Sequence, residues 1–283
     1  MFLLLRWLSR RPLRLLHAWG AALGWVAYLA SPSYRQRLRE NAALAGLSSA
    51  QRRKAVAEAG KLVMELPRLW LRPRDVPIHD PVRWEGEDLM AHWLAHPQGL
   101  IVLTPHMGSF EVSAQAYAER YGARQPMTVL YRPARKAWLR ELESTARARP
   151  ALATAPATLA GVRQLMRALR RGETVGMLPD QVPPDGMGVW APFFGQRAYT
   201  MTLAARLVRQ TGAAVGVLCT ERLARGAGFV VRALPLTVAL PEQADDVADA
   251  ASINASMEAV IRAQPSQYLW GYHRYKAPRS AAT

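Results

Sequence analysis

From residue 100 onward the chain alternates short apolar runs with segments whose apolar positions recur at helical spacing. Residues 100–103 (LIVL) form an unbroken aliphatic run, the pattern of a strand covered on both faces. Residues 127–131, 174–178, 214–220 and 229–234 read the same way. Between them, 111–121, 136–149, 158–171, 200–211 and 246–263 have the character of helices. Strand and helix in alternation predict an α/β fold, a mostly parallel mixed sheet flanked by helices. Upstream the pattern changes. Residues 31–71 read as helices, with a capping-box pattern from Ser48 to Gln51. Pro73 and Pro77 then make 72–81 a connector. No repeat or low-complexity tract divides the remainder. The expected organisation is a membrane-anchoring helix over 1–30 and one α/β domain over 31–283, with 31–71 as its helical lead-in.

The segment 15–30 (LLHAWGAALGWVAYLA) has no formal charge and arginines on both sides. It is marginally short for a bilayer span, which takes about 20 residues. Trp7, Trp19, Trp25 and Tyr28 are aromatics of the kind that settle at the head-group level. A short single-pass or membrane-dipping anchor, a cleaved signal peptide and an ordinary buried helix all fit this stretch. The favoured reading is an anchor lying in or partly through a membrane, with the rest of the chain on one side.

Charge narrows the choice of partner. The 283 residues carry a formal charge of +16, and the only lysines are Lys54, Lys61, Lys136 and Lys276, so arginine dominates. Guanidinium groups fork onto phosphate and carboxylate oxygens. The basic surface therefore suits nucleic acid, anionic lipid head groups or an acidic carrier protein. No nucleic-acid module is recognisable. Cys219 is the single cysteine, which excludes an intrachain disulfide and a cysteine-based zinc site; its apolar surroundings read as a buried thiol.

The candidate chemistry lies just past the run at 100–103, in Thr104-Pro105-His106-Met107-Gly108-Ser109-Phe110-Glu111. Residues five apart on one helix point about 140° from each other. His106 and Glu111 therefore meet only if His106 is in the strand-to-helix loop and Glu111 is in the first helical turn. Pro105, Gly108 and Ser109 favour that placement, and in open α/β sheets ligands bind past the carboxyl ends of strands. The constellation reads as a general base, His106, oriented and charge-compensated by Glu111. Ser109 is not in a Gly-x-Ser-x-Gly elbow, so it is a helix-start residue and not a nucleophile. No second clustered histidine supports a metal site, and no cofactor motif is present.

A histidine followed after four residues by an acid resembles the signature of the glycerolipid-type acyltransferases. The longer run LIVLTPHMGSFE is similar to the bacterial lipid A biosynthesis acyltransferases, the late lauroyl and myristoyl transferases. Three further blocks match in order: 129–133 (VLYRP), 177–181 (MLPDQ) leading to 191–195 (APFFG), and 268–276 (YLWGYHRYK). The resemblance covers roughly residues 12–276 and implies a glycerolipid-acyltransferase-like fold. It also implies transfer of a fatty acyl chain from acyl-(acyl carrier protein) to a hydroxyl of a phosphorylated lipid A precursor, on the cytoplasmic face of the bacterial inner membrane. Carried over residue by residue, His106 is the base and Glu111 its partner. Arg132 contacts acceptor phosphate or charge on the reacting thioester, and Asp180 and Gln181 shape the acceptor site. Two departures stand out. Ser109-Phe110 replaces the Asn-Trp of many relatives, and Val182 replaces a second acid two residues beyond Asp180, which weakens any acid-pair or metal role there.

An acyltransferase acting on a glycerophospholipid or another membrane lipid fits the same motifs. A non-enzymatic basic protein binding membrane or nucleic acid is the remaining alternative. Trp190, Phe193 and Phe194 read either as the lining of an acyl groove or as core residues. The basic, aromatic tail at 270–276 reads either as a phosphate-holding segment or as a structural end. Arg163, Arg167, Arg170 and Arg171 read as a solvated helix face, and His79, His92 and His96 as surface residues.

Overall fold

The computed structural model describes residues 2–132 and 149–278. The helix expected over 136–149 lies outside the described residues except for Arg149, which bridges to Leu152. Four helices open the chain: α1 (Phe2–Ser9), α2 (Leu13–Ala30), α3 (Pro32–Leu44) and α4 (Ser49–Trp70). The α4 start is the capping box expected at Ser48. Its hydroxyl accepts from Gln51 N at 3.2 Å, and the Gln51 side chain accepts from Ser48 N at 2.8 Å. There follow β1 (Val82–Glu85), α5 (Glu87–Leu94), β2 (Leu100–Leu103), α6 (Phe110–Tyr121), β3 (Met127–Tyr131), β4 (Leu152–Pro156) and α7 (Leu159–Arg170). The chain continues through β5 (Thr174–Met177), β6 (Gly188–Phe193), β7 (Gln196–Met201), α8 (Leu203–Thr211), β8 (Ala214–Arg222), β9 (Phe229–Leu234) and α9 (Asp246–Ala263).

Seven strands form one sheet in the order β1-β9-β8-β2-β5-β3-β4. The five strands from β8 to β4 run parallel, while β9 pairs antiparallel with β8 and β1 runs with β9. This is the mostly parallel mixed sheet expected. The aliphatic run at 100–103 is explained by burial on both sides. Ile101 and Leu103 join a core with Leu165, Val175, Met177, Leu207, Val217 and Ile253. Leu100 and Val102 join another with Met90, Trp93, Val112, Tyr117 and Leu218. Because the five central strands are parallel, the loops after β2, β5 and β8 meet at one edge of the sheet.

Two expectations change in detail. The helix expected from residue 200 begins at Leu203, because residues 196–201 are spent on β7. That strand closes a hairpin with β6 through Phe194 (φ 47°) and Gly195 (φ 77°), a two-residue turn whose positive φ angles match the twist of the paired strands. The apolar N-terminal segment is a helix, but among the described residues no helix is long and apolar enough to cross a membrane. Instead α2 lies with its backbone against α4: a Cβ on Gly60 would stand 2.0 Å from Gly20 O, and one on Gly24 2.2 Å from Val56 O. Leu13 and Leu16 are buried, each contributing about 1.5–3 kcal/mol by leaving water.

Candidate active site

The loop after β2 is held on three sides. Thr104 N donates to Met177 O of β5 at 3.0 Å, and Ser109 N to Thr220 O of β8 at 3.1 Å. From the C-terminal segment, Leu269 N donates to His106 O at 3.1 Å, while Gly108 N donates to Gln267 O at 2.9 Å. Gly108 has φ 55°, and a Cβ there would stand 1.7 Å from Thr220 O. Only glycine combines that backbone angle with so close an approach. The loop therefore delivers His106 to the edge of the sheet with little freedom.

The His106 ring is hydrogen bonded to Asp180. Nδ1 lies 2.7 Å from Asp180 Oδ1, and the His106 backbone N–H donates to Oδ2 at 2.9 Å. Asp180 follows β5, the strand next to β2, and is buried. Burial pushes its carboxyl pKa up, but the imidazole and N–H of His106, helped by Arg274, outweigh this and hold it below its ordinary value of 3.8. An ionised carboxylate only accepts, so Nδ1 carries the proton. Nε2 has no hydrogen-bond partner among the described residues and presents its lone pair as a base. Phe110 packs edge-on against the ring at 5.0 Å.

Glu111 stands in the first turn of α6, as expected, and is buried with its carboxylate accepting from Trp70 Nε1 at 3.3 Å. The hydrogen bond to Nδ1 of the His106 ring comes from Asp180, which was expected to shape the acceptor site. Ser109 occupies the N-cap position of α6 without a capping hydrogen bond, its buried hydroxyl unpartnered among the described residues. Arg132 is exposed where β3 ends at the same edge, close enough to the Tyr272 phenol to lower its pKa, although burial dominates and raises it. Gln181 is half-buried beside Asp180. Beneath the loop, Thr104, Phe110, Ser113, Met127, Gly176 and Leu218 border a small apolar cavity of about 30 Å³.

A second buried cluster supports the loop from behind. Arg222, at the end of β8, donates from Nη2 to Gly108 O at 2.9 Å and to Glu65 Oε2 at 2.9 Å. Its Nη1 donates to Glu58 at 2.8 Å, its Nε also binds Glu65, and Glu65 meets His17 Nε2 at 2.6 Å. Burial raises the Glu65 carboxyl pKa, but Arg222 and His17 together carry it below its usual value. Sequence reasoning missed this cluster. The one available signal was a histidine and two glutamates within apolar helical segments.

Other expectations resolve plainly. Phe193 and Phe194 are core residues, and Trp190 is half-buried with its ring 5.5 Å from Tyr199. In the C-terminal block, Arg274 is buried and donates to Tyr199 O and Thr200 Oγ1 at 2.6 and 2.7 Å, a structural role. His79, His92 and His273 are exposed, and His96 is half-buried. Burial pushes the Cys219 thiol up to about 11, far from a reactive thiolate. Among the described residues no cluster of ligands for a metal ion is found.

Residues 1–277 match the family described as bacterial lipid A biosynthesis acyltransferase. The chain belongs to that family. It is 28% identical over 234 residues to the lipid A biosynthesis palmitoleoyltransferase of Escherichia coli K12, covering 81% of this chain and 74% of the relative. It is 26% identical over 238 residues to the lipid A biosynthesis lauroyltransferase of the same organism, with the same coverage. A Shigella flexneri lipid A biosynthesis acyltransferase is similar at 28%. The protein is an acyltransferase, which sets aside the reading of a non-enzymatic basic binding protein.

Proposed function

We propose that this acyltransferase moves a fatty acyl chain from acyl-(acyl carrier protein) to a hydroxyl of a phosphorylated lipid A precursor. The observation that carries the mechanism is the buried Asp180 carboxylate fixing Nδ1 of His106, which turns Nε2 outward at the edge where the parallel strands end. Nε2 takes the proton of the acceptor hydroxyl as its oxygen attacks the thioester carbonyl. The carbon–oxygen ester bond forms, the carbon–sulfur bond breaks, and the imidazolium returns its proton to the departing thiolate. Glu111 keeps a second carboxylate in the first turn of α6, where its charge favours the transient imidazolium and is itself favoured by the helix N-terminus. Arg132 meets acceptor phosphate or the charge growing on the carbonyl oxygen, and Gln181 lines the acceptor side.

The acceptor remains in a membrane, so the enzyme must sit on one. The outer face of α1 and α2 supports an interfacial seat on the cytoplasmic face of the bacterial inner membrane. Leu4, Trp7, Trp19, Leu23, Val26 and Leu29 are all exposed there, beside the exposed Arg6, Arg10 and Arg14. Apolar side chains flanked by arginines are the composition of a helix lying in the head-group layer.

The test is acyl transfer by purified protein from acyl carrier protein to a lipid A precursor and, in parallel, to a lysoglycerophospholipid. Wild type is expected to use the first acceptor and His106→Ala to use neither. Transfer by His106→Ala at the wild-type rate would sink the mechanism, and preference for the second acceptor would change the substrate. Mass spectrometry of lipid A from cells lacking the gene is expected to show one acyl chain fewer.

A further inference from the structure

If the donor is an acyl carrier protein, it needs a landing place that does not obstruct the lipid side of the site. We propose that the outward face of α7 is that docking surface, its occupant an acidic carrier domain bearing the acyl thioester; the proposal rests on the donor named above. α7 has no acidic residue. Its inner face, Leu165, Ala168 and Leu169, is buried, and its outer face presents Arg163, Arg167 and Arg170 to solvent. None of these three forms an ion pair among the described residues, whereas Arg171, Arg206 and Arg209 nearby are each paired with a carboxylate. Three open arginines on one helix that carries no acidic residue are a concentrated positive surface facing outward.

A second feature points to a protein partner. Leu159, in the first turn, is 73% exposed, and at four-residue spacing it shares a face with Arg163 and Arg167. One apolar contact inside a cationic rim is the composition of a small protein interface. Placement agrees. α7 follows β4 and runs back against the strands, so Leu159 and Arg163 lie at the edge that carries His106. β4 is three strand intervals from β2, about 14 Å across the sheet, a gap that a thioester on a flexible prosthetic arm crosses. α1 and α2 pack on α4 on the other side of β2 in that row, where Arg222 of the neighbouring β8 binds Glu58 and Glu65 of α4. Lipid and carrier would then reach His106 from opposite flanks. α7 has no aromatic residue and a single exposed leucine, which favours a protein over a bilayer as its occupant.

The experiment compares Arg163→Glu/Arg167→Glu with wild type, using acyl-(acyl carrier protein) and the corresponding acyl-pantetheine as alternative donors. With the carrier-borne donor, KM is expected to rise about tenfold and its salt dependence to flatten. With acyl-pantetheine, kcat and KM are expected to be unchanged, which a folding defect could not produce. Leu159→Ser is expected to raise KM for the carrier-borne donor alone. An unchanged KM for the carrier in an active enzyme overturns the surface and leaves the proposed reaction standing. Equal losses with both donors, or loss of vesicle binding in place of carrier binding, also overturn it. A wild type that takes no acyl group from the carrier overturns both proposals.

Discussion

The proton on Nδ1 of His106 decides which nitrogen can act as base, and Asp180 holds that proton in place. Asp180→Asn preserves shape but lets the amide donate to Nδ1, which favours the opposite tautomer. Steady-state acyl transfer is expected to show kcat reduced by roughly 10²–10⁴-fold with little change in KM; activity within a few-fold of wild type would show that another group orients the ring. The same pair bears on stability. Because the Asp180 carboxyl is held below its ordinary 3.8, its ionic contacts contribute fully above that value and are lost as pH falls through the depressed value. Thermal melts of wild type and Asp180→Asn should therefore differ most near neutrality and converge in acid. The spacing of His106 and Glu111 was legible in sequence because both belong to one strand-loop-helix turn. The contact with Asp180 was not, because 74 positions separate the two residues and only the pairing of β2 with β5 brings them together.

Helix and strand junctions meet at Arg222, which links α4 and α2 to the loop carrying His106. Its fork onto Glu65, its bond to Glu58 and its bond to Gly108 O are buried. Arg222→Ala leaves buried Glu65 with His17 alone and Glu58 with Lys61 alone, and is expected to cost about 3–5 kcal/mol in chemical denaturation. Arg222→Lys keeps the charge but cannot reproduce the fork, so its loss should be smaller in stability than in kcat. The α2–α4 contact gives a separate expectation. With Gly60 set 2.0 Å from Gly20 O at its notional Cβ, Gly60→Ala must push the helices apart, and a melt should register about 1–3 kcal/mol of destabilisation. Elements with a strong period or a long aliphatic run were legible: β2, β3, β9 and α9 fall at the expected residues. Those missed have physical reasons. β1 and α5 are short, β4 (LATAP) is alanine-rich and ends in proline, and the β6–β7 hairpin turns on Phe-Gly where Asn-Gly or Asp-Gly is the usual signal.

At the scale of the whole molecule, the same first thirty residues that suggested an anchor are divided between two surroundings. Leu8, Leu13, Leu16, His17, Gly20 and Gly24 turn inward, while Leu4, Trp7, Trp19, Leu23, Val26 and Leu29 turn outward. Hydropathy alone could not separate these sets, since His17 apart neither carries a polar side chain, and only the helical docking onto α4 sorts them. A contiguous exposed apolar face needs an occupant, and the flanking arginines point to an anionic surface. The wild-type protein is thus expected to float with vesicles containing phosphatidylglycerol and less with neutral vesicles, the difference shrinking at high salt. Leu4→Ser/Trp7→Ser/Leu23→Ser removes three exposed side chains, each worth about 1.5–3 kcal/mol when buried in full. Vesicle affinity should fall by at least a hundredfold while the melting temperature stays near wild type, because none of the three is packed in the core. Undiminished flotation of this variant would mean that the apolar face of α1 and α2 is not where the enzyme meets its lipid.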